Sequence, residues 1–130
     1  MSIADWCMLG AVLIYLLTLA PAKVLGKGEF RNSAPRDPAF YETPVRARVL
    51  GAHNNGIETF PFFAAAILLA EFKHGAQALV DGLAVGFLVV RLAFVLTYVG
   101  NRPIARSLLW NLGFALNVLI FISPLAFPAR

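Results

Sequence analysis

Charged residues are absent from Trp6 to Ala22, and the apolar run WCMLGAVLIYLLTLAPA resumes through Val24 and Leu25 after Lys23. A stretch of that length crosses a bilayer as a helix, which predicts a first span over about residues 4–25. Ala20-Pro21-Ala22 has the small-x-small form of a signal-peptide cleavage site. The preceding segment, however, carries Asp5 and no Lys or Arg, where a secretory signal starts positive. Residues 26–43 mix charges with prolines and read as a polar loop. Thr43-Pro44 has the form of a helix start, a capping hydroxyl followed by proline at the first position, so a second helix is expected over 44–72. Its beginning, VRARVLGAHNNGIETF, is amphipathic and its end, PFFAAAILLA, is apolar, with Pro61 expected to kink it. The turn EFKHG, with Gly75 as the stop, leads to a third helix over 76–100, where Gly82 and Gly86 have the spacing of closely packed membrane helices. After Gly100-Asn101-Arg102-Pro103 the chain is uncharged from Ser107 to Ala129, predicting a fourth helix over about 104–124 that Pro124 and Pro128 end. Four helices with short connections imply an all-α integral membrane fold, an up-down four-helix transmembrane bundle forming one domain over 1–130.

Composition points the same way. Hydrophobic residues make up 59% of the chain and charged residues 14%, against roughly 25% charged in soluble domains. With a mean hydropathy of +0.73, a soluble globule is excluded. The single cysteine, Cys7, has no intrachain partner and reads as a small apolar residue. The net charge of +4 does not point to nucleic acid, because the basic residues sit mostly where membrane loops fall. Lys23, Lys27, Arg31, Arg36, Arg46 and Arg48 flank or occupy the first connection, Arg102 and Arg106 the third, and Lys73 alone the second. By the positive-inside rule the first and third loops are cytoplasmic and both termini lie on the non-cytoplasmic side of a multi-pass protein.

Ionisable groups inside a span are costly and mark functional candidates. His53 and Glu58 lie on the second helix and Arg91 on the third. At 1.5 Å per helical residue, Asn55 stands about 15 Å, Glu58 about 20 Å and Arg91 about 15 Å from the cytoplasmic side. Asn55 and Glu58 share a helix face, which Arg48 joins, and Arg91 shares one with Tyr98. The expected picture is a polar cleft floored by a Glu58–Arg91 ion pair, which on its own fits a structural clamp between helices. His53, Asn54, Asn55, Tyr98, Arg102 and Arg106 crowd the same end, in excess of what a clamp needs. Guanidinium and amide groups suit a small anionic ligand, and the lipid-side walls suit an apolar co-substrate. His53 has no second His or Cys nearby, so no metal is expected and a hydrogen-bonded histidine is. His74 reads as a solvated loop residue.

The stretch Arg48-Val-Leu-Gly-Ala-His-Asn-Asn55-Gly-Ile-Glu58-Thr-Phe-Pro-Phe62 resembles the helix-two signature of the membrane-associated proteins in eicosanoid and glutathione metabolism, the MAPEG family. Arg91, Tyr98 and the run Arg102-Pro103-Ile104-Ala105-Arg106-Ser107 resemble its third and fourth helices. The resemblance implies a homotrimer with glutathione as co-substrate, bound between neighbouring subunits near the cytoplasmic side. It assigns glutathione contacts to Arg48, Asn55, Glu58, Tyr98 and Ser107 and thiolate stabilisation to Arg106, with His53, Asn54 and Arg102 as further candidates. A thiol near pKa 8.5 is mostly protonated at neutral pH, and lowering that by roughly two units requires about 2.7 kcal/mol of differential stabilisation. The implied function is transferase or peroxidase-like: a thiol activated for attack on a lipophilic small molecule in the membrane. The chain departs from the eicosanoid-producing members at Gly51, usually arginine there, at Phe94, where some members place Tyr or His, and at Asn54, basic in the prostaglandin E synthase branch. Those departures keep a second reading in play, a non-catalytic membrane protein of the same fold that binds lipid or a partner membrane complex. HNNGIETFPFFAAAILLA looks closest to small bacterial members, which implies a bacterial inner membrane.

Overall fold

A computed structural model describes residues 1–25 and 28–127. Gly26, Lys27 and Pro128, which entered the loop and span-end readings, lie outside the described residues. Four α-helices follow in order, α1 (Ile3–Thr18), α2 (Pro44–Phe72), α3 (Gln77–Val99) and α4 (Pro103–Ala126), with 3-10 turns at Ala20–Lys23 and Pro38–Tyr41. Each is long and apolar enough to cross a membrane, α1 together with its 3-10 extension to Lys23. α2 and α3 pack on one another and each touches both remaining helices, so α1 and α4 flank a central pair.

The sequence explains most helix ends. Ser2 caps α1: its Oγ accepts the Asp5 amide at 3.0 Å while the Asp5 carboxylate accepts the Ser2 amide at 2.7 Å, a closed capping box. α1 ends at Thr18, earlier than the expected residue 25. Pro21 has no amide to continue the ladder, and the chain tightens into a 3-10 turn. At α2, Pro44 does occupy the first turn, but Thr43 Oγ1 makes no capping bond and is buried with no partner among the described residues. α2 and α3 both finish in Schellman turns whose left-handed residues are not glycines. His74 (φ 54°) closes α2 through Gly75 N to Ala70 O, and Asn101 (φ 56°) closes α3 through Arg102 N to Thr97 O. Gly75 is thus the residue after the stop, buried against Ser123 and Pro124 of α4.

Neither internal proline interrupts its helix. Pro61 lies on an exposed face of an unbroken α2. Pro124 does not end α4, because the Ser123 hydroxyl donates to Ile120 O at 2.8 Å, the carbonyl that a proline at 124 leaves without an amide. Close helix approach also occurs elsewhere than expected. A Cβ on Gly82 would meet nothing within 4 Å, whereas one on Gly56 would run into Tyr15, where α1 crosses α2.

The core joins α1, α2 and α3 around Phe63, stacked on Phe87 at 4.0 Å between centroids, with Ile120 reaching in from α4. Large apolar side chains such as Leu13, Leu68, Leu92 and Leu108 remain exposed on all four helices, as expected of a surface facing hydrocarbon. The long α1–α2 connection is held by Arg46, 2% exposed. Its Nε donates to Ala22 O and Leu25 O, Nη1 to Phe40 O and Nη2 to Gly28 O, and the guanidinium lies 3.8 Å over the Phe40 ring.

Candidate functional site

Two adjoining cavities open between α2, α3 and α4 and share Asn55 and Trp110. The outer one, about 350 Å³, is lined by Asn55, Phe94, Tyr98, Arg106, Ser107, Trp110 and Asn111. The inner one, about 210 Å³, adds Glu58, Thr59, Arg91 and Asn117 within a ring of Phe62, Phe87 and Phe114.

Cations and rings alternate along this groove. Arg91, 6% exposed, donates Nη1 to Asn55 Oδ1 at 2.9 Å, and its guanidinium lies 4.4 Å over the Phe94 ring. Phe94 meets Tyr98 edge-on at 5.5 Å, and the Arg106 guanidinium lies 4.7 Å over Tyr98. Cation–π contact holds a guanidinium in place through its face and leaves the in-plane N–H groups available. Among the described residues the Arg106 side chain donates no hydrogen bond, so a fixed, permanently charged donor set borders the outer cavity.

The expected Glu58–Arg91 ion pair is not formed. Among the described residues Glu58 is exposed and makes no hydrogen bond or ion pair, and Arg91 is bonded to Asn55 instead. Helix rise gives the reason: counted from the end that carries the long loop, Arg91 lies about 12 Å in, Asn55 about 16 Å and Glu58 about 21 Å. The Glu58 backbone stands more than a helical turn beyond that of Arg91, and the guanidinium reaches only to Asn55. Both groups nonetheless line the inner cavity, from different depths.

The remaining predicted residues divide into two groups. Tyr98, Arg106 and Ser107 meet Asn55 in the outer cavity, while Arg48 and Arg102 border neither cavity. Arg48 donates Nε to Val99 O at 3.0 Å and so serves the C-terminus of α3. Arg102 is exposed at the N-cap position of α4. His53 and Asn54 face the opposite side of α2, where they border a cavity of about 820 Å³ beneath the long loop with Lys23, Arg36 and Tyr41. His53 is hydrogen-bonded as expected, Nδ1 lying 2.7 Å from Tyr15 O. The crowd of polar residues predicted for one cleft is therefore split by α2 itself.

Gly51 has a definite spatial role. A Cβ there would stand 2.5 Å from the Tyr98 hydroxyl, so the glycine supplies the notch in α2 that this hydroxyl fills. Trp110, Asn111 and Asn117 on α4 escaped the sequence reading because the span carries no charge. Their signal was the spacing of Trp110, Gly113 and Asn117, which puts one ring, one gap and one amide on a single helix face.

Four apolar helices around a groove of alternating guanidinium and aromatic groups define a multi-pass integral membrane protein. The sequence model of the MAPEG family matches residues 3–126, and the chain belongs to that family of membrane proteins of glutathione and eicosanoid metabolism. No curated protein and no solved structure matches the chain.

Proposed function

We propose that this protein is a membrane-bound glutathione transferase with peroxidase-like capacity, acting as a homotrimer in a bacterial inner membrane with both termini on the non-cytoplasmic side. The observation that carries the reading is the Arg106 guanidinium, held over Tyr98 at the outer cavity with its donors unspent. A thiol placed there loses its proton to solvent, and the thiolate is stabilised by a cation that cannot itself deprotonate. The sulfur then attacks an electrophilic carbon of a lipophilic substrate entering from the hydrocarbon side. A C–S bond forms, and the displaced electron pair leaves with a leaving group or takes up a proton. With a hydroperoxide, two thiols are oxidised to a disulfide while the peroxide is reduced to alcohol and water. Asn55, Tyr98 and Ser107 border the thiol end, and Glu58 and Arg91 the deeper end. Family membership supports the trimer, in which a neighbouring copy would close the groove. Arg48 and Arg102 enter this reading only through the resemblance, since neither borders the groove.

The test is a glutathione titration of the detergent-purified protein, following thiolate ultraviolet absorbance and melting temperature together. A saturable thiolate signal is expected, and Arg106→Ala is expected to weaken it about 100-fold, the equivalent of roughly two pKa units, with the fold retained. A thiolate signal unchanged in Arg106→Ala removes this residue from the mechanism. One observation favours the non-catalytic alternative: Arg48 turns its Nε to Val99 O and borders neither cavity, and position 51 has no side chain to take its place. Absence of both thiolate and stabilisation would select that alternative and turn attention to lipid and partner membrane proteins.

A further inference from the structure

Resting on the glutathione reading, we infer that Phe94 is a positioning residue: its ring sets the orientation of both guanidinium groups of the groove, Arg91 directly and Arg106 through Tyr98. Phe94 is 2% exposed on α3 and lines the outer cavity. Its side chain carries no donor or acceptor, so any effect on a polar ligand passes through the groups it touches. Two of those groups lie three residues before it and four residues after it, the spacings that bring side chains together on one helix face.

Arg91 shows why a ring is needed. A single hydrogen bond, Nη1 to Asn55 Oδ1 at 2.9 Å, leaves a planar fork free to pivot about that bond. Phe94 removes this freedom, because the guanidinium lies 4.4 Å from the ring centroid and is attracted to the ring face. An aliphatic side chain of similar size would fill the space without offering that face. The Arg106 side is built in the same way. Tyr98 meets Phe94 edge-on, at 5.5 Å between centroids and 76° between planes, an arrangement that the charge distribution of aromatic rings favours. The Tyr98 hydroxyl fills the notch at Gly51, so its ring is located at both ends, and the Arg106 guanidinium rests on it at 4.7 Å. One buried phenyl ring therefore stands between two cations carried by different helices, α3 and α4. Burial fixes the few torsions of that ring, whereas each arginine has many that only such contacts restrain. The spacing of the two charges along the groove follows from where the ring stands.

The test compares wild type with Phe94→Leu, which keeps apolar volume but removes the ring face, and with Phe94→Tyr, which keeps the ring. Glutathione is titrated into the whole detergent-purified protein over a series of pH values, and bound thiolate is read from ultraviolet absorbance. In Phe94→Leu the midpoint of bound-thiolate formation is expected to rise by about one pH unit, a tenfold change, and glutathione affinity to fall by about tenfold. Phe94→Tyr is expected to restore both. A residue that only packs the core would lower the melting temperature of Phe94→Leu and leave midpoint and affinity as in wild type. That result would overturn the assignment, and so would a loss that Phe94→Tyr does not restore. Should Phe94→Leu fail to fold, Phe94→Met, with its longer and more adaptable side chain, carries the same comparison. An unmoved midpoint beside a normal wild-type signal brings down the Phe94 assignment alone. A wild type that forms no bound thiolate brings down the glutathione reading, and this assignment with it.

Discussion

Arg46 and Arg91 are both almost wholly buried, and both lie face-on to an aromatic ring, yet they do opposite things with their donors. Arg46 gives Nε and both terminal nitrogens to backbone carbonyls of the 3-10 turn and the long loop. Arg91 gives one nitrogen to one side chain, Asn55, and lines a cavity. Burial of a guanidinium therefore does not separate structure from function here. What separates them is whether the fork ends on backbone, which no ligand can displace, or on a side chain beside open space. Arg106 extends the second pattern, with a ring beneath it and no acceptor of its own among the described residues.

The contrast breaks most visibly at Arg46. Arg46→Leu is expected to cost about 3 kcal/mol or more, since several carbonyls lose a charged donor together, and to expose the loop from Gly28 to Glu42 to protease. Unchanged melting and an intact loop would show that the hub is not what holds that connection. Gly51→Ala comes next: overpacking against the Tyr98 hydroxyl should cost about 1–3 kcal/mol and shift the ring beneath Arg106, detectable as reduced thiolate absorbance at saturating glutathione. For Arg91→Leu the two readouts should diverge. Stability should fall by about 1–2 kcal/mol, less than for Arg46, while glutathione affinity drops more than tenfold. A variant that lost stability alone would move Arg91 into the structural class with Arg46. Glu58→Gln sits at the bottom of the scale, within roughly 0.5 kcal/mol of wild type without ligand, because Glu58 is exposed and has no partner among the described residues to lose. A large destabilisation there would mean an ion pair across a contact between copies.

The architecture was legible because membrane crossing leaves a coarse signature. Uncharged runs and prolines delimit the helices to within a few residues, the end of α1 excepted, and the polar side chains that border the groove on α2 and α3 stand out among apolar neighbours. The finer geometry was less legible, for reasons that are local and physical. Helical rise set Arg91 level with Asn55 and only about 5 Å from Glu58, close enough to read as one layer, but α3 ends at Val99 and draws Arg91 nearer the loop end, so its guanidinium reaches Asn55 and not Glu58. Arg46 looked like one more orienting charge because its partners are backbone carbonyls scattered over residues 22–40, which no side-chain pattern reveals. His74 and Asn101 assume the left-handed role usually given to glycine, so Gly75 misled by one position at the end of α2. Asn117 was invisible because an uncharged amide does not interrupt an apolar run.

The turn at Gly100–Arg102 has a consequence for how this chain can vary. It joins α3 to α4 with three residues, closed by the Asn101 Schellman bonds, and so works as an indexing pin between two cylinders. Adding or deleting one residue there would break the Asn101 N to Tyr98 O and Arg102 N to Thr97 O closure that sets how α4 leaves α3. Such a change would swing Arg106 off the Tyr98 ring and Trp110 and Asn117 out of the groove together, without touching any of those side chains chemically. Length change should therefore be far less tolerable in this turn than substitution at its individual residues, and a lineage that kept every site residue yet altered the turn by one position would have lost the site.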